Sequence, residues 1–506
     1  MGLFGKKADH PMADLKSAQQ LLNDVPRNDA LKALQEITEW IESVRDNAEF
    51  AVDQRLEVLR LLDESARPFM RKLIYEYFSA QSLSKFQENR TWMGLNEFFS
   101  HLAQAYFKVL TDFRSGHKGS SAIKPFLPLV AARGIYALMG RLKLAAIRYA
   151  LVEDIVWQQM AEFYSHAEAQ HYLDELVALY PGTTKNTSVR NKFASVLMWY
   201  APGSGSLSPR NMHLAERLTT HFAQHLAVSS QITPDSLFYF DLVHPAVPVR
   251  VTSDTVPHPD RRFLGAGGVM PHIDALLKTL EKNIVPEDIN LGGLYAAGTV
   301  RDVVLYLASH LQAPPPMRRN VRRQLKVNMN VVNGFSNIVT STTAIENTEP
   351  GLTWLVEDIS ANGFRCVLPP NTAEGVRIGS VIGLKPENVA HRGVGIVRRL
   401  SRDSQSNLHV GVEMLSKQVE IVALHIHGSH HLAAAQSALW LKKSDEDSSE
   451  AQLLMDADTF SMSRSLNTEF AGKGYLLIPM ALLEKGADYD LARYRKVEED
   501  SSAEDY

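Results

Sequence analysis

Between Arg318 and Arg323 the chain sets four arginines within six residues, Arg318, Arg319, Arg322 and Arg323, around Asn320 and Val321. Each guanidinium is permanently charged and needs an anion, a π face or water beside it. Its planar fork grips phosphate oxygens two at a time, and its flat face stacks on purines. A guanine-bearing phosphodiester satisfies both habits. Downstream stands Asp358-Ile359-Ser360-Ala361-Asn362-Gly363. On an extended chain Asp358 and Ser360 share a face, where a carboxylate and a hydroxyl can meet a base edge. Gly363 permits a positive φ or a close backbone approach, letting the chain turn under a ligand. The plain alternative is a basic, solvated edge followed by an unrelated Asx turn.

An R-x-x-x-R element ahead of a strand, followed roughly 30 to 40 residues later by D/N-x-S-x-x-G, resembles the PilZ domain, a bacterial receptor module for cyclic di-GMP. Two registers fit, Arg318 with Arg322 and Arg319 with Arg323. The second is preferred because the family places its second arginine directly before the first strand, here Leu325 to Val332. Asp358, Ser360 and Gly363 match the second element, and Gly395-Ile396-Val397-Arg398-Arg399 and Gly411-Val412-Glu413-Met414 resemble later strands of the family. The resemblance covers residues 313–425. It implies a six-stranded antiparallel barrel in which Arg319 and Arg323, helped by Arg318 or Arg322, stack on purine and grip phosphate. Asp358 and Ser360 would then meet a guanine over the Gly363 turn. The ligand would order the joint beside the arginines and reorient the barrel against the rest of the chain.

The other properties fit a receptor. The chain has 506 residues, 45% hydrophobic and 22% charged, ordinary values for several globular domains. A net charge of -4 provides no overall basic field to recruit nucleic acid or acidic membrane. The single cysteine, Cys366, excludes an internal disulfide and suits a reducing, cytoplasmic compartment. The start lacks the features of a secretory signal, and the nearest approach to a spanning segment, Pro125 to Gly140, is broken by Pro128 and Arg133. Membrane contact is expected only through partners.

The chain reads as multidomain α+β. Residues 1–12 are a disordered leader. Residues 13–230 form an all-helical domain, with apolar stripes such as Leu31, Leu34, Ile37, Ile41 and Val44 behind Asn28 or Asp29. One long apolar helix is expected from Leu144 to Tyr164. Residues 231–312 form a small α/β connector, or the closing part of the helical domain. The stiff Ala313-Pro314-Pro315-Pro316 link marks a boundary. The PilZ-like barrel follows over 313–425, with strands at Leu325 to Val332, Leu352 to Ser360, Phe364 to Leu368, Val381 to Leu384, Gly393 to Leu400 and His409 to Met414. A β-rich segment over 426–496 and an acidic tail over 497–506 complete the chain, with the acidic run Ser444 to Glu450 as a solvated loop.

Other constellations carry less. His425, His427, His430 and His431 are dense, but no Cys or Glu completes a metal site, so no metal or cofactor is expected. Leu264-Gly265-Ala266-Gly267-Gly268 precedes a helix without the full dinucleotide fingerprint and reads as a strand-to-helix turn. Gly292-Gly293 reads likewise. No G-x-S-x-G, H-E-x-x-H or Walker lysine occurs. The GGDEF and EAL signatures of dinucleotide synthesis and hydrolysis are absent too, so the chain is expected to be a non-enzymatic cyclic di-GMP receptor. The helical domain would carry the response to a protein partner, in motility, biofilm or virulence control, and its long apolar helices leave room for a homodimer. The rival readings are a degenerate barrel acting as a protein adaptor and a nucleic-acid-binding barrel. The latter needs base-stacking aromatics, for which only Phe335 and Trp354 lie near.

Overall fold

The computed structural model describes residues 8–79, 83–287, 289, 291, 295–312, 322–343, 352–372, 375–386, 391–428, 435–442, 449–486 and 488–499. Arg318, Arg319, the proline link, Gly292, Gly293, His430, His431 and residues 444–448 of the acidic loop lie outside them. The chain divides into two compact units. One comprises Met1–Arg148, Val152–Ser204 and Pro209–Met317, and the other Tyr149–Leu151, Gly205–Ser208 and Arg318–Tyr506.

The first unit is built from helices Leu15–Asn23, Ala30–Asp46, Val52–Ser79, Lys85–Arg114, Leu127–Ala146, Asp154–Ala169, Val189–Tyr200 and Pro209–Phe222. Side-chain caps start several of them, because the first N–H groups of a helix lack intrahelical partners. Asp14, Asp29 and Ser188 each accept such an N–H, and Ser84 forms a capping box with Gln87. Leu34, Ile37, Ile41 and Val44 are buried along one stripe. Four short strands, β1 (Ala227–Ser229), β2 (Ser236–Asp241), β3 (Val249–Arg250) and β4 (Arg261–Gly265), pair antiparallel in the order β1-β4-β2-β3. Helices Val269–Leu280 and Ala297–His310 follow in the same unit.

Ser120–Ala146 is long and apolar enough to cross a membrane by length and composition, and 72% of its most apolar window is buried within the unit. Its one deeply buried arginine explains its place. Arg133 stands 3.3 Å from Asp63, with side chains 1% and 2% exposed. Tyr106 and Tyr180 donate to the same carboxylate at 2.7 and 3.1 Å. Arg133 also donates to the Leu179 carbonyl at 2.8 Å. A buried charge is tolerated only with partners of this kind.

The second unit holds two closed six-stranded antiparallel barrels. The first comprises β5 (Arg323–Asn333), β6 (Leu352–Ser360), β7 (Gly363–Leu368), β8 (Val381–Pro386), β9 (Gly393–Arg402) and β10 (Leu408–Ser416), in the order β10-β7-β6-β5-β8-β9. Alternate residues fill it, among them Val331, Trp354, Val356, Cys366, Leu384, Val397 and Val410. The second comprises β11 (Val419–Ile426), β12 (Gln436–Leu441), β13 (Glu450–Met455), β14 (Leu466–Phe470), β15 (Lys473–Lys485) and β16 (Asp490–Glu498), in the order β11-β12-β13-β16-β15-β14. An apolar layer joins their outer faces. Val381, Val394 and Ile396 of the first barrel cluster with Leu439, Leu454 and Leu491 of the second, and helix Phe335–Thr343 adds Phe335 and Ile338. Asp488 accepts the N–H of Phe335 at 3.1 Å and so caps that helix from the other barrel.

Several sequence expectations are corrected. The Leu144 to Tyr164 helix is two helices, ending at Ala146 and resuming at Asp154. Between them Tyr149 adopts φ +55°, its carbonyl accepts the Arg402 N–H at 2.7 Å, and its ring packs on the first barrel's core cluster. The leader is ordered from Ala8, since Ala8 and Met12 are buried. The first barrel ends before 425, because β11 pairs with β12 and β14. The β-rich segment is a complete second barrel, and strand pairing runs through Glu498, inside the expected tail.

Arg133→Met would strand Asp63 in the interior. A loss of about 3–5 kcal/mol is expected, read as a lowered urea midpoint. An unchanged midpoint would show that the pair contributes nothing.

Candidate ligand-binding groove

β5 and β6 pair with Arg323 opposite Ile359 and Gln324 opposite Asp358. Cross-strand partners share a face, so Arg323 lies on the side of Ile359, away from Asp358. Arg322, one residue earlier, reaches the carboxylate. Its Nη1 donates to Asp358 Oδ2 at 3.1 Å and stands 3.0 Å from Oδ1. Of the two arginine registers, the one ending at Arg322 therefore meets the acidic turn, while Arg323 is exposed beside Ile359.

The β6–β7 hairpin turns through Ala361 and Asn362, with Ser360 paired to Gly363. The Ser360 hydroxyl donates to the Gly363 carbonyl at 3.0 Å. The Asn362 carbonyl accepts the Met414 N–H at 3.0 Å and ties the turn to β10. Close approach explains the glycine: a Cβ on Gly363 would lie 2.2 Å from the Val412 carbonyl oxygen.

Beside this hairpin opens a groove of about 380 Å³, lined by Arg322, Ser360, Gly363, Arg365, Arg398, Arg399, His409 and Glu413. Three of its arginines rest on carboxylates. Arg322 holds Asp358. Arg365 stands 3.1 Å from Glu357 and donates to His409 Nδ1 at 2.8 Å, while His409 Nε2 lies 3.2 Å from Asp403. Arg398 meets Glu413 at 2.7 Å and grips Glu484 of the second barrel with two bonds of 2.6 Å. Burial opposes the charge on Arg398, but its bonds to Glu484 and Glu413 outweigh that and raise its pKa. Burial likewise opposes the Glu484 carboxylate, yet donation from Arg398 and Tyr489 holds it below its ordinary range. Arg399 is exposed and has no ion-pair partner among the described residues. The groove thus offers one free guanidinium and three that an incoming phosphate could draw from their carboxylates.

Arg365, Arg398, Arg399, His409 and Glu413 were not among the residues singled out from sequence. Arg365 had a visible signal, lying two residues beyond Gly363 on the same strand and so facing the same side. Arg398 and Arg399 stand in a strand read only as barrel wall. The remaining candidates lie elsewhere. Phe335 and Trp354 are 4% and 0% exposed and offer no face to a base. His427 meets Asn467 at 2.8 Å, and among the described residues no three His, Cys, Asp or Glu side chains converge as metal ligands. In the β4 turn, the Gly267 N–H donates to Asp235 at 3.0 Å and the Gly268 N–H to the His225 carbonyl at 3.0 Å. Those amides are already engaged by the protein.

Residues 16–234 match the family model described as cyclic-di-GMP receptor FimW, N-terminal domain. The match lies in the helical part and does not include the barrels. No curated protein matches the chain.

Gly363→Ala is expected to lower the thermal midpoint, because a carbonyl in a paired strand must yield, at about 1–3 kcal/mol. Gly298→Ala, where an added Cβ meets nothing within 4 Å, serves as control and should not destabilise. Equal midpoints for the two variants would remove the close-approach account.

Proposed function

We propose that this chain is a cyclic di-GMP receptor and that its first barrel reads the ligand in the manner of a PilZ domain. The observation that carries this is the convergence of Arg322 with Asp358, Ser360 and Gly363 beside an arginine-lined groove. The match of residues 16–234 to the N-terminal domain of a cyclic-di-GMP receptor supports the same ligand from a separate part of the chain.

The chemistry is an exchange of partners. A guanidinium that rests on a carboxylate moves to a phosphate without losing ionic contact, and the freed carboxylate becomes an acceptor. Guanine presents N1–H and N2–H side by side, and a carboxylate accepts both. In this reading Arg322 leaves Asp358 for phosphate or the purine face, with Arg318, four residues earlier in the sequence, assisting. Asp358 then takes the guanine edge, with Ser360 beside it. Arg399 and Arg365 supply further charge along the groove. Arg319 and Arg323 form the alternative register and have the lesser role. The protein acts by binding, without catalysis, and the helical unit delivers the response to a protein partner. Motility, surface attachment and virulence control are the outputs that suit such a receptor.

Calorimetric titration of the full chain with cyclic di-GMP tests this. Arg318→Ala with Arg322→Ala should weaken binding by about 1.5–3 kcal/mol per lost charged contact, and Asp358→Ala should reduce the preference over cyclic di-AMP. Arg319→Ala with Arg323→Ala should retain most of the affinity. A flat titration with folded protein would instead make the barrel an adaptor, and unaltered binding in the Arg318, Arg322 double variant would reject the site.

A further inference from the structure

A larger cavity lies in the helical unit and shares no lining residue with the barrel groove. It encloses about 690 Å³ between helix Val52–Ser79, helix Pro209–Phe222 and the turn at Pro181, Gly182 and Thr183. That volume suits a small organic ligand.

Its lining is cationic and aromatic together. Arg67, Arg71, Lys72 and Arg217 face it with Tyr75 and Tyr136. The carboxylate in the lining, Glu64, already receives Arg133 at 2.7 Å. Arg67 has no carboxylate partner among the described residues and lies flat instead, its guanidinium carbon 4.0 Å over the Tyr180 ring. Tyr180 cannot drift, because its hydroxyl is bound to the buried Asp63 at 3.1 Å and its ring also meets Arg133. The guanidinium is therefore held by the unit's most deeply buried polar network, and a second ring can stack upon it. Arg71 is exposed and has no ion-pair partner among the described residues. Among the described residues Lys72 pairs with Glu76 at 3.9 Å. Behind Tyr136, the Lys192 ammonium stands 5.8 Å from the ring, and burial pulls its pKa down to about 8.

From this geometry we infer that the cavity is a second ligand site, taking a mononucleotide-like anion. Its ring would stack on Arg67 and its phosphate would be held by Arg71, Lys72 and Arg217. The site is separate from the barrel groove and does not depend on what that groove binds.

The test uses the full chain carrying Arg322→Ala, titrated calorimetrically with guanosine 5′-monophosphate, adenosine 5′-monophosphate and inorganic phosphate. Both nucleotides should bind saturably and phosphate more weakly, since phosphate lacks the ring. Arg71→Ala, an exposed change that leaves the core untouched, should weaken nucleotide binding roughly tenfold, and Arg67→Ala should remove the advantage over phosphate. No saturable nucleotide binding at millimolar concentration, or binding indifferent to Arg71→Ala, overturns the site. Phosphate binding as tightly as the nucleotides overturns the stacking role of Arg67.

Discussion

The first barrel depends on how closely β10 can approach its neighbours. Gly363 on β7 leaves room for the Val412 carbonyl, and on the other side a Cβ at Gly395 of β9 would lie 2.7 Å from the Glu413 carbonyl. β10 is squeezed between strands whose glycines carry nothing where its backbone passes. That fit closes the barrel, because an unpaired β10 would leave a row of open N–H and C=O groups. It also fixes the tip of the β6–β7 hairpin. Ser360, Asn362 and Arg365 take their places in the groove because the strand beside them can come this near.

The electrostatics of the groove follow from that closure. Neighbouring strands of the barrel bring Asp358, Glu357 and Glu413 beside Arg322, Arg365 and Arg398, so these arginines are held in place by the protein itself. Prepositioned side chains lose less freedom on binding. Carboxylates already on those arginines compete with any anion that enters, so a single ionic contact there gains little and further contacts must add to it. Arg398 extends the network further, because its other partner, Glu484, belongs to β15 and is bound in turn by Tyr489. The wall of the groove and the second barrel share one hydrogen-bonded chain.

Much of the first barrel was legible in sequence because short β-rich runs are set apart by glycine and proline breaks and β7 and most of β10 alternate between buried and more exposed residues, while Trp354 and Val356 of β6 point inward. The second was only half legible. β14 is short and polar, and β16 reads as charged because Arg493, Arg495 and Lys496 stand among its buried Leu491, Ala492 and Tyr494. The Phe335–Thr343 helix was hidden by β-branched and hydroxyl residues that read as loop, and it is held partly by Asp488 far along the chain. The break at Tyr149 left no local mark, since its cause is a carbonyl bonded to Arg402. The acidic turn of the groove could be found by spacing. Arg365 of β7 could have been found by the same spacing, but Arg398 and Arg399 of β9 could not, because only barrel closure brings β9 to that turn.

Cys366 points into the barrel between Val356 and Val410, fully buried, and burial together with nearby Glu357 and Asp358 raises its thiol pKa well above the ordinary value. It is the chain's only cysteine. A thiol this shielded stays protonated and out of reach of reagents. A cysteine introduced on any exposed surface can thus carry a fluorophore or spin label selectively in otherwise native protein, with no background labelling to remove.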